Sequence, residues 1–247
     1  MIPKIIHYCW LSNDPIPTDL QGYMESWKKF LPDYEFLLWD FNRFDIDSSI
    51  WVKEAFGAKK YAFAADYIRC YALYNYGGIY LDMDVEVLKS FNDLLHLPYF
   101  LCQEQGAPIE AAIMGTEKHN KLFEKMVKYY EGKHFIQEDR GFDTLTLPRV
   151  MEKVIQLNFE INKIASVALY ARSPNQINVL PSDYFSPKSY KTGKIHVTKN
   201  TYTIHHFAGS WIPWGQRLEM KIWRWMGIKK HPLLSWHINH WLSYLKK

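Results

Sequence analysis

Apolar and polar positions along the chain alternate between two periods, and the changes of period mark out its elements. The run from Ile2 to Trp10 is short and mostly apolar and reads as a buried strand that exits through the turn cluster Ser12-Asn13-Asp14-Pro15. Residues 19 to 30 read as a helix. After Pro32, Tyr34-Glu35-Phe36-Leu37-Leu38-Trp39 reads as a second strand, and residues 42 to 57 as a loop with short helical pieces. From Lys59 to Tyr76 there is no Gly or Pro, Ala recurs at 62, 64, 65 and 72, and the run stops at Gly77-Gly78, as expected of a helix with a glycine stop. A strand is predicted to follow at once. From Ile79 to Val87 every odd position is apolar and Tyr80, Asp82, Asp84 and Glu86 fall between, a strict period of two that puts both aspartates on one face. Helices are expected at 116–131 and 148–157, a strand at 195–206, a loop at 207–215, and two short helices rich in Trp and Lys from 216 onward. This alternation of strands and helices predicts an α/β layer fold.

With 247 residues the chain can bury a substantial core, and it reads as one domain, 1–215, with a C-terminal helical extension, 216–247. Apolar (48%) and charged (23%) shares are those of an ordinary globular protein, which excludes a disordered or membrane-embedded class. Aromatic rings are abundant, with 17 Tyr, 14 Phe and 10 Trp. Most are core filler, but rings also offer faces on which bases and sugars pack. Cys9, Cys70 and Cys102 are few and scattered, which argues against a disulfide framework or a zinc site and for a reducing compartment. No apolar run reaches the roughly 18 to 20 residues of a membrane span, and the start lacks a signal-peptide pattern, so the expected location is cytoplasmic. The net charge of +4 is concentrated in residues 216–247, where Arg217, Lys221, Arg224, Lys229, Lys230, Lys246 and Lys247 face Glu219 alone.

Chemistry concentrates near Gly77-Gly78. Residues two apart in a strand lie roughly 7 Å from one another on the same face, so Asp82 and Asp84 would repel unless a cation, a proton or a basic group intervened. A divalent cation is the most useful relief, because it also binds a diphosphate. Without one, the pair is a polar strand face. Upstream, Asp66 and Arg69 are three apart on the predicted helix and share a face, either as a surface ion pair or as groups carried toward the aspartates by a helix that ends at their strand. An Arg there would stabilise charge on a leaving diphosphate. No Ser/His/Asp or Cys/His grouping competes, since His7, His96, His119 and His134 have no partner at a motif spacing.

The segment Tyr61-Ala62-Phe63-Ala64-Ala65-Asp66-Tyr67-Ile68-Arg69-Cys70-Tyr71-Ala72-Leu73-Tyr74, running into Tyr76-Gly77-Gly78-Ile79-Tyr80-Leu81-Asp82-Met83-Asp84, resembles the DXD-containing sugar-binding region of glycosyltransferase family 32. The resemblance extends to Ile2–Trp10 and to Ile204–Trp211. It implies a GT-A fold, a Rossmann-like mixed sheet flanked by helices, with the nucleotide-sugar at the carboxyl ends of the strands. By similarity, Asp84 would bind Mn²⁺ or Mg²⁺ directly. Asp82 would touch the ribose, the donor sugar or a metal-bound water, and is a second candidate ligand. Asp66 and Arg69 would hold the donor sugar and diphosphate, Trp10 would stack on the base, and Tyr80 would lie beside the base or ribose. His205 or His206 would complete the metal set, with His205 preferred. Ser210 and Trp211 resemble a loop closing on the diphosphate, where the Trp211 indole would reach the leaving group.

Glu110 stands where relatives often carry an Asn facing the donor sugar, and reads either as a contact near the anomeric carbon or as a solvated loop acid. The resemblance departs at Asp143-Thr144-Leu145-Thr146-Leu147-Pro148, which lacks the glycine of a Thr-Gly-Pro common in relatives and leaves the acceptor open. The implied activity is transfer of a hexose, expected from a UDP-sugar with retention, to a hydroxyl of a surface-polysaccharide or lipid-linked oligosaccharide acceptor. No nucleic-acid partner is expected. Trp223, Trp225, Trp236 and Trp241 among Lys and Arg suit either docking on anionic membrane or a packed helical pair. Two alternatives stand beside this reading. A sugar nucleotidyltransferase normally needs a Gly-rich phosphate loop that Ser12-Asn13-Asp14-Pro15 does not offer, and a noncatalytic carbohydrate-binding protein leaves Asp66, Arg69, Asp82 and Asp84 unexplained.

Overall fold

A computed structural model of the chain describes residues 1–104, 109–139 and 141–209. Ser210, Trp211 and the extension 216–247 lie outside the described residues.

The apolar start forms β1 (Ile5–Cys9), followed by helix α1 (Thr18–Phe30) and β2 (Glu35–Trp39). Helix α2 (Ile50–Gly57) is capped by the Ser49 side chain, which accepts from the Val52 amide. Helix α3 (Tyr61–Tyr76) starts two residues later than its pattern suggested, because Lys59 has a left-handed φ of 58°. It runs through the middle of the molecule, and every residue from Ala64 to Cys70 is buried, Asp66 and Arg69 included. Gly77 (φ 66°) and Gly78 (φ 101°) turn the chain directly into β3 (Gly78–Leu81). A Cβ on Gly77 would sit 2.7 Å from the Lys118 amide nitrogen and one on Gly78 2.7 Å from the Ile5 carbonyl, so glycine is required on steric as well as conformational grounds.

The remaining elements are β4 (Val85–Val87), β5 (Tyr99–Phe100), β6 (Ile113–Thr116), α4 (Lys121–Tyr130), α5 (Leu147–Asn158), β7 (Glu160–Lys163), β8 (Gln176–Val179) and β9 (Thr203–His205). The central sheet has the order β2-β1-β3-β6-β5, with β2, β1 and β3 parallel and β6 and β5 antiparallel to their neighbours. It is therefore the α/β layer fold that the alternation predicted, with the mixed sheet and flanking helices that the resemblance implied. One core holds Tyr80, Met114, Leu101 and the buried residues of α2 to α5, and the other holds Ile6, Ile79, Leu81, Ile113, Phe100 and Trp27 of α1. Cys9, Cys70 and Cys102 are unpaired and buried.

Three expectations need correction. The strand from 79 to 87 is not continuous. At Asp82 the amide makes a last bond to the Ala112 carbonyl, Val85 then closes a turn onto the Asp82 carbonyl, and β4 pairs with β9 instead of the central sheet. The alternation was still informative, since Ile79, Leu81, Met83, Val85 and Val87 all enter one core across the break. The strand expected at 195–206 shrinks to Thr203–His205, because Ile195 belongs to a hairpin bridged to Lys188 and Thr198 to Thr201 form a turn. The helix expected from 116 begins at Lys121, where Asn120 caps the Leu122 amide, and the apolar residues before it form β6.

His7 sits in the seam between β1, β2 and the end of α3. It is fully buried, with Nδ1 accepting from the Trp39 indole N–H at 3.0 Å and Nε2 at 2.7 Å from the Gly77 carbonyl. Because an indole only donates, the ring must be the neutral tautomer with its proton on Nε2. Burial, opposed by the Gly77 bond, lowers its pKa to about 4. Unfolding frees a histidine that protonates near 6.5, so the folded state loses stability as the pH falls from about 6.5 to about 4, by about 3 kcal/mol in all. In urea unfolding across that range the natural protein should lose about 3 kcal/mol more stability than His7→Gln does. A second change probes the sheet: a Cβ on Gly115 would meet the buried Phe100 ring at 2.2 Å. Gly115→Ala should therefore destabilise by about 1–3 kcal/mol in the same assay at neutral pH.

Candidate active site

Three elements deliver charged side chains to one place where the chain leaves β3. Helix α3 contributes Asp66 and Arg69, the turn after β3 contributes Asp82 and Asp84, and β9 contributes His205. Arg69 is the hub. Its Nη2 lies 3.3 Å from Asp66 Oδ1 and 3.2 Å from Asp82 Oδ1, and its Nη1 donates to Asp82 Oδ2 at 3.3 Å and to the Ala111 carbonyl at 2.9 Å. The guanidinium carbon lies 4.6 Å from the centre of the Tyr80 ring, a cation–π contact. A guanidinium this deeply placed keeps its charge only with partners on several sides, and the two aspartates supply them. The pair Asp66 and Arg69 is thus a buried bridge and not an ion pair of the helix surface.

Asp84 is held differently. Its Oδ2 accepts from the Ala208 amide at 2.7 Å, and its Oδ1 lies 3.5 Å from His205 Nε2. Phe207, with a left-handed φ of 54°, turns the Ala208 amide toward that carboxylate and lays its own ring 4.0 Å from the His205 ring. The other imidazole nitrogen, Nδ1, is 3.1 Å from Glu110 Oε2, while Glu110 Oε1 accepts from the Ala112 amide at 2.9 Å. A carboxylate behind a histidine fixes the tautomer that leaves Nε2 to act as a ligand.

The electrostatics follow from this packing. Burial raises the Asp66 pKa to about 7 even beside Arg69. Burial also raises Asp82, with the charge of Asp84 adding to it and Arg69 opposing. For Asp84 the cost of burial is outweighed by His205 and the Ala208 amide, which bring it down to about 2. Burial disfavours charge on His205, yet Glu110 and Asp84 raise its pKa well above the ordinary value, and His205 in return lowers Glu110. Four carboxylates thus share Arg69 and one imidazole, which leaves the cluster short of positive charge.

Asp82, Asp84 and His205 each offer a ligand atom, and these atoms lie within 4.8 Å of one another. Two carboxylate oxygens and an imidazole nitrogen suit Mn²⁺, and the oxygens suit Mg²⁺, so the donor set fits the cation that the sequence implied. The two adjacent histidines part company here. His206 points away, with Nε2 2.8 Å from Glu86 Oε2 and its ring stacked on Tyr23, so it does not join the candidate metal set.

Two further site expectations change. Tyr80 is only 1% exposed, its hydroxyl donates to Asp82 Oδ1 and its face is covered by Arg69, so it supports Asp82 and does not present a surface to a base or ribose. Glu110 is also 1% exposed, so it is neither a solvated loop acid nor a group open to a sugar. Its carboxylate is spent on His205 and Ala112. Trp10 follows the carboxyl end of β1, partly buried, with its indole N–H donating to the Asp14 carbonyl at 2.7 Å.

Sequence reasoning missed the Ala208 amide, because a backbone donor leaves no side-chain signature. It also missed Glu104, whose pKa burial and the charge of Glu110 push up to about 7. The segment that departs from the family pattern lies near the site, since the backbone of Leu147 at the start of α5 favours the charged form of Asp66.

Residues 17–101 match the family model of the glycosyltransferase sugar-binding region containing DXD motif. That match covers about a third of this chain. The inositol phosphoceramide mannosyltransferase 3 of Schizosaccharomyces pombe is 34% identical over 131 residues, 51% of this chain and 36% of that protein. The mannosyl phosphorylinositol ceramide synthase CSH1 of Saccharomyces cerevisiae is 31% identical over 132 residues, 52% of this chain and 35% of that protein. The inositol phosphoceramide mannosyltransferase 1 of S. pombe aligns further, at 29% identity over 70% of this chain and 59% of that protein. The alignments with the first two thus span little more than a third of each relative's length. Among solved structures, the PaToxG glycosyltransferase aligns with a TM-score of 0.43 and 18% identity over 63% of this chain and 73% of that one.

The bond between Glu110 and His205 yields a direct expectation. Glu110→Gln should weaken Mn²⁺ binding by about tenfold to a hundredfold, measured by titration calorimetry or by the paramagnetic resonance of free Mn²⁺. His206→Ala should leave it unchanged.

Proposed function

We propose that this protein is a metal-dependent glycosyltransferase of GT-A fold that moves a hexose from a nucleotide-sugar to a hydroxyl of a lipid-linked or glycan acceptor. The observation that carries the reading is the convergence of Asp82, Asp84 and His205, backed by Glu110 and joined to Asp66 through Arg69. The DXD-region match over residues 17–101 supports the same reaction class. The mannosyl and inositol phosphoceramide names of the relatives favour a mannose donor and a lipid headgroup acceptor over the UDP-hexose and surface polysaccharide expected from sequence.

In this reading Asp84 and His205 would hold the cation, and Asp82 would reach both it and the donor. When bound, the cation neutralises charge on the departing nucleoside diphosphate. Arg69 is fixed by two carboxylates and a carbonyl, so it presents positive charge to the donor without reorganising. Asp66, whose raised pKa gives it a shared proton near neutrality, is placed to bind sugar hydroxyls as donor or acceptor. Trp10 offers a ring at the carboxyl end of β1 for the base. The acceptor hydroxyl attacks the anomeric carbon from the side the diphosphate leaves as the C1–O bond to that diphosphate breaks, and its proton passes to the departing phosphate oxygen, which retains configuration.

The test is a panel of GDP-mannose, UDP-glucose and UDP-galactose with Mn²⁺, scored for slow donor hydrolysis and for transfer to phosphoinositol-bearing sphingolipid. One donor should be turned over, EDTA should stop it, and Asp84→Asn should lower the rate by at least about a hundredfold. Turnover insensitive to EDTA and to Asp84→Asn, or no turnover of any donor, would overturn the reading.

A further inference from the structure

We propose that the hairpin of residues 187–199 is a docking element for an anionic lipid surface, seated beside the Asp82, Asp84 and His205 cluster. Residues 184–200 contain Lys188, Lys191, Lys194 and Lys199 and no acidic residue. The hairpin has a defined shape: Lys188 bridges Ile195, the Ser189 amide bonds to the Lys194 carbonyl at 2.8 Å, and Gly193, with φ 71°, closes the tip onto the Ser189 carbonyl. Its base is pinned by Asp183, which accepts from the Thr198 hydroxyl at 2.7 Å and from the Asn200 side-chain Nδ2 at 3.2 Å. That nearby carboxylate is therefore engaged. Among the described residues, Lys191, Lys194 and Lys199 take part in no salt bridge.

The same hairpin exposes apolar groups between its lysines, with Tyr190 at 36%, Ile195 at 42% and Val197 at 57% of full exposure. Ammonium groups alternating with aliphatic and aromatic side chains match the two layers of a lipid surface, phosphate outside and hydrocarbon beneath. A nucleic acid or a polyphosphate would use the lysines but would have no use for Ile195 and Val197. No described helix is long and apolar enough to cross a membrane.

The hairpin is continuous with the site. The Tyr190 ring meets the Phe207 ring at 5.4 Å, Phe207 meets His205 at 4.0 Å, and Lys188 Nζ donates to the His206 carbonyl at 2.7 Å. Two rings, Tyr190 and Phe207, connect a surface docked on the hairpin to His205, where a lipid headgroup would meet the donor. That use rests on the glycosyltransferase reading, whereas the docking itself does not.

The test is flotation of the full chain with vesicles of phosphatidylcholine alone and of phosphatidylcholine with phosphatidylserine. The natural protein should float only with the anionic vesicles. Lys191→Glu with Lys194→Glu should lower its partition at least about tenfold, and Ile195→Ser with Val197→Ser should lower it further at high salt, where the charges are screened. Both pairs are exposed and should leave the near-ultraviolet dichroism and donor hydrolysis in solution unchanged. Flotation of both variants equal to the natural protein would overturn the proposal by placing the contact elsewhere on the chain. Binding to inorganic polyphosphate or RNA without vesicle binding would overturn it as well. Loss of flotation in the variants, with no donor hydrolysis in any form of the protein, would support docking while removing the catalytic reading.

Discussion

The site depends on a guanidinium buried in the middle of the molecule. Arg69 lies on a helix that is covered on all sides, with little water to solvate its charge. A buried cation of this kind is tolerated only with close anions and hydrogen-bond acceptors, and Asp66, Asp82 and the Ala111 carbonyl are those partners. The requirement ties three separate parts of the chain together. Helix α3, the turn after β3 and the segment leading into β6 cannot move apart without stranding the charge. The rigid carboxylate arrangement of the site is thus a by-product of solving a solvation problem.

A second device stands on the other side of the same turn. Leaving the central sheet at Asp82 frees Asp84 from pairing within it and lets β4 meet β9, which brings His205 beside Asp84 from more than a hundred residues away. Trp27 of α1 donates its indole N–H to the Val85 carbonyl and Ser26 accepts from the Val87 amide, so the small β4–β9 pair is held against the main body. Glu110 then fixes the ring. Each candidate ligand is supported by a partner of its own: Arg69 and Tyr80 for Asp82, the Ala208 amide for Asp84, Glu110 for His205. Such support keeps a cation site in shape.

Much of the scaffold was legible from period and punctuation. The parallel strands β1 and β2, the helix ending at Gly77-Gly78 and the alternation through Val87 all carry strong local signals. A glycine pair after a long run without Gly or Pro stops a helix, and a period of two matches the pleat of a strand and not the turn of a helix. Strands β5 to β8 were not legible. They are two to four residues long, and their pairing is decided by partners distant in sequence. Tyr80 and Glu110 were misplaced for a related reason: a resemblance assigns a role by position in the motif, and only packing reveals that each is buried with its polar atoms already bonded.

The sequence by itself determined the alternation of strands and helices, the turn from α3 into β3, the two aspartates on the polar side of the segment and the nearness of Asp66 and Arg69, because all of these are set by steric or periodic rules within a few residues. Only the tertiary structure decided that the strand breaks at Asp82, that His205 and not His206 turns toward Asp84, and that Glu110 stands behind His205. Those outcomes depend on which backbone donors and carboxylates remain unpaired once the cores have closed. That is a property of the whole packed chain, with no counterpart in any local stretch of residues.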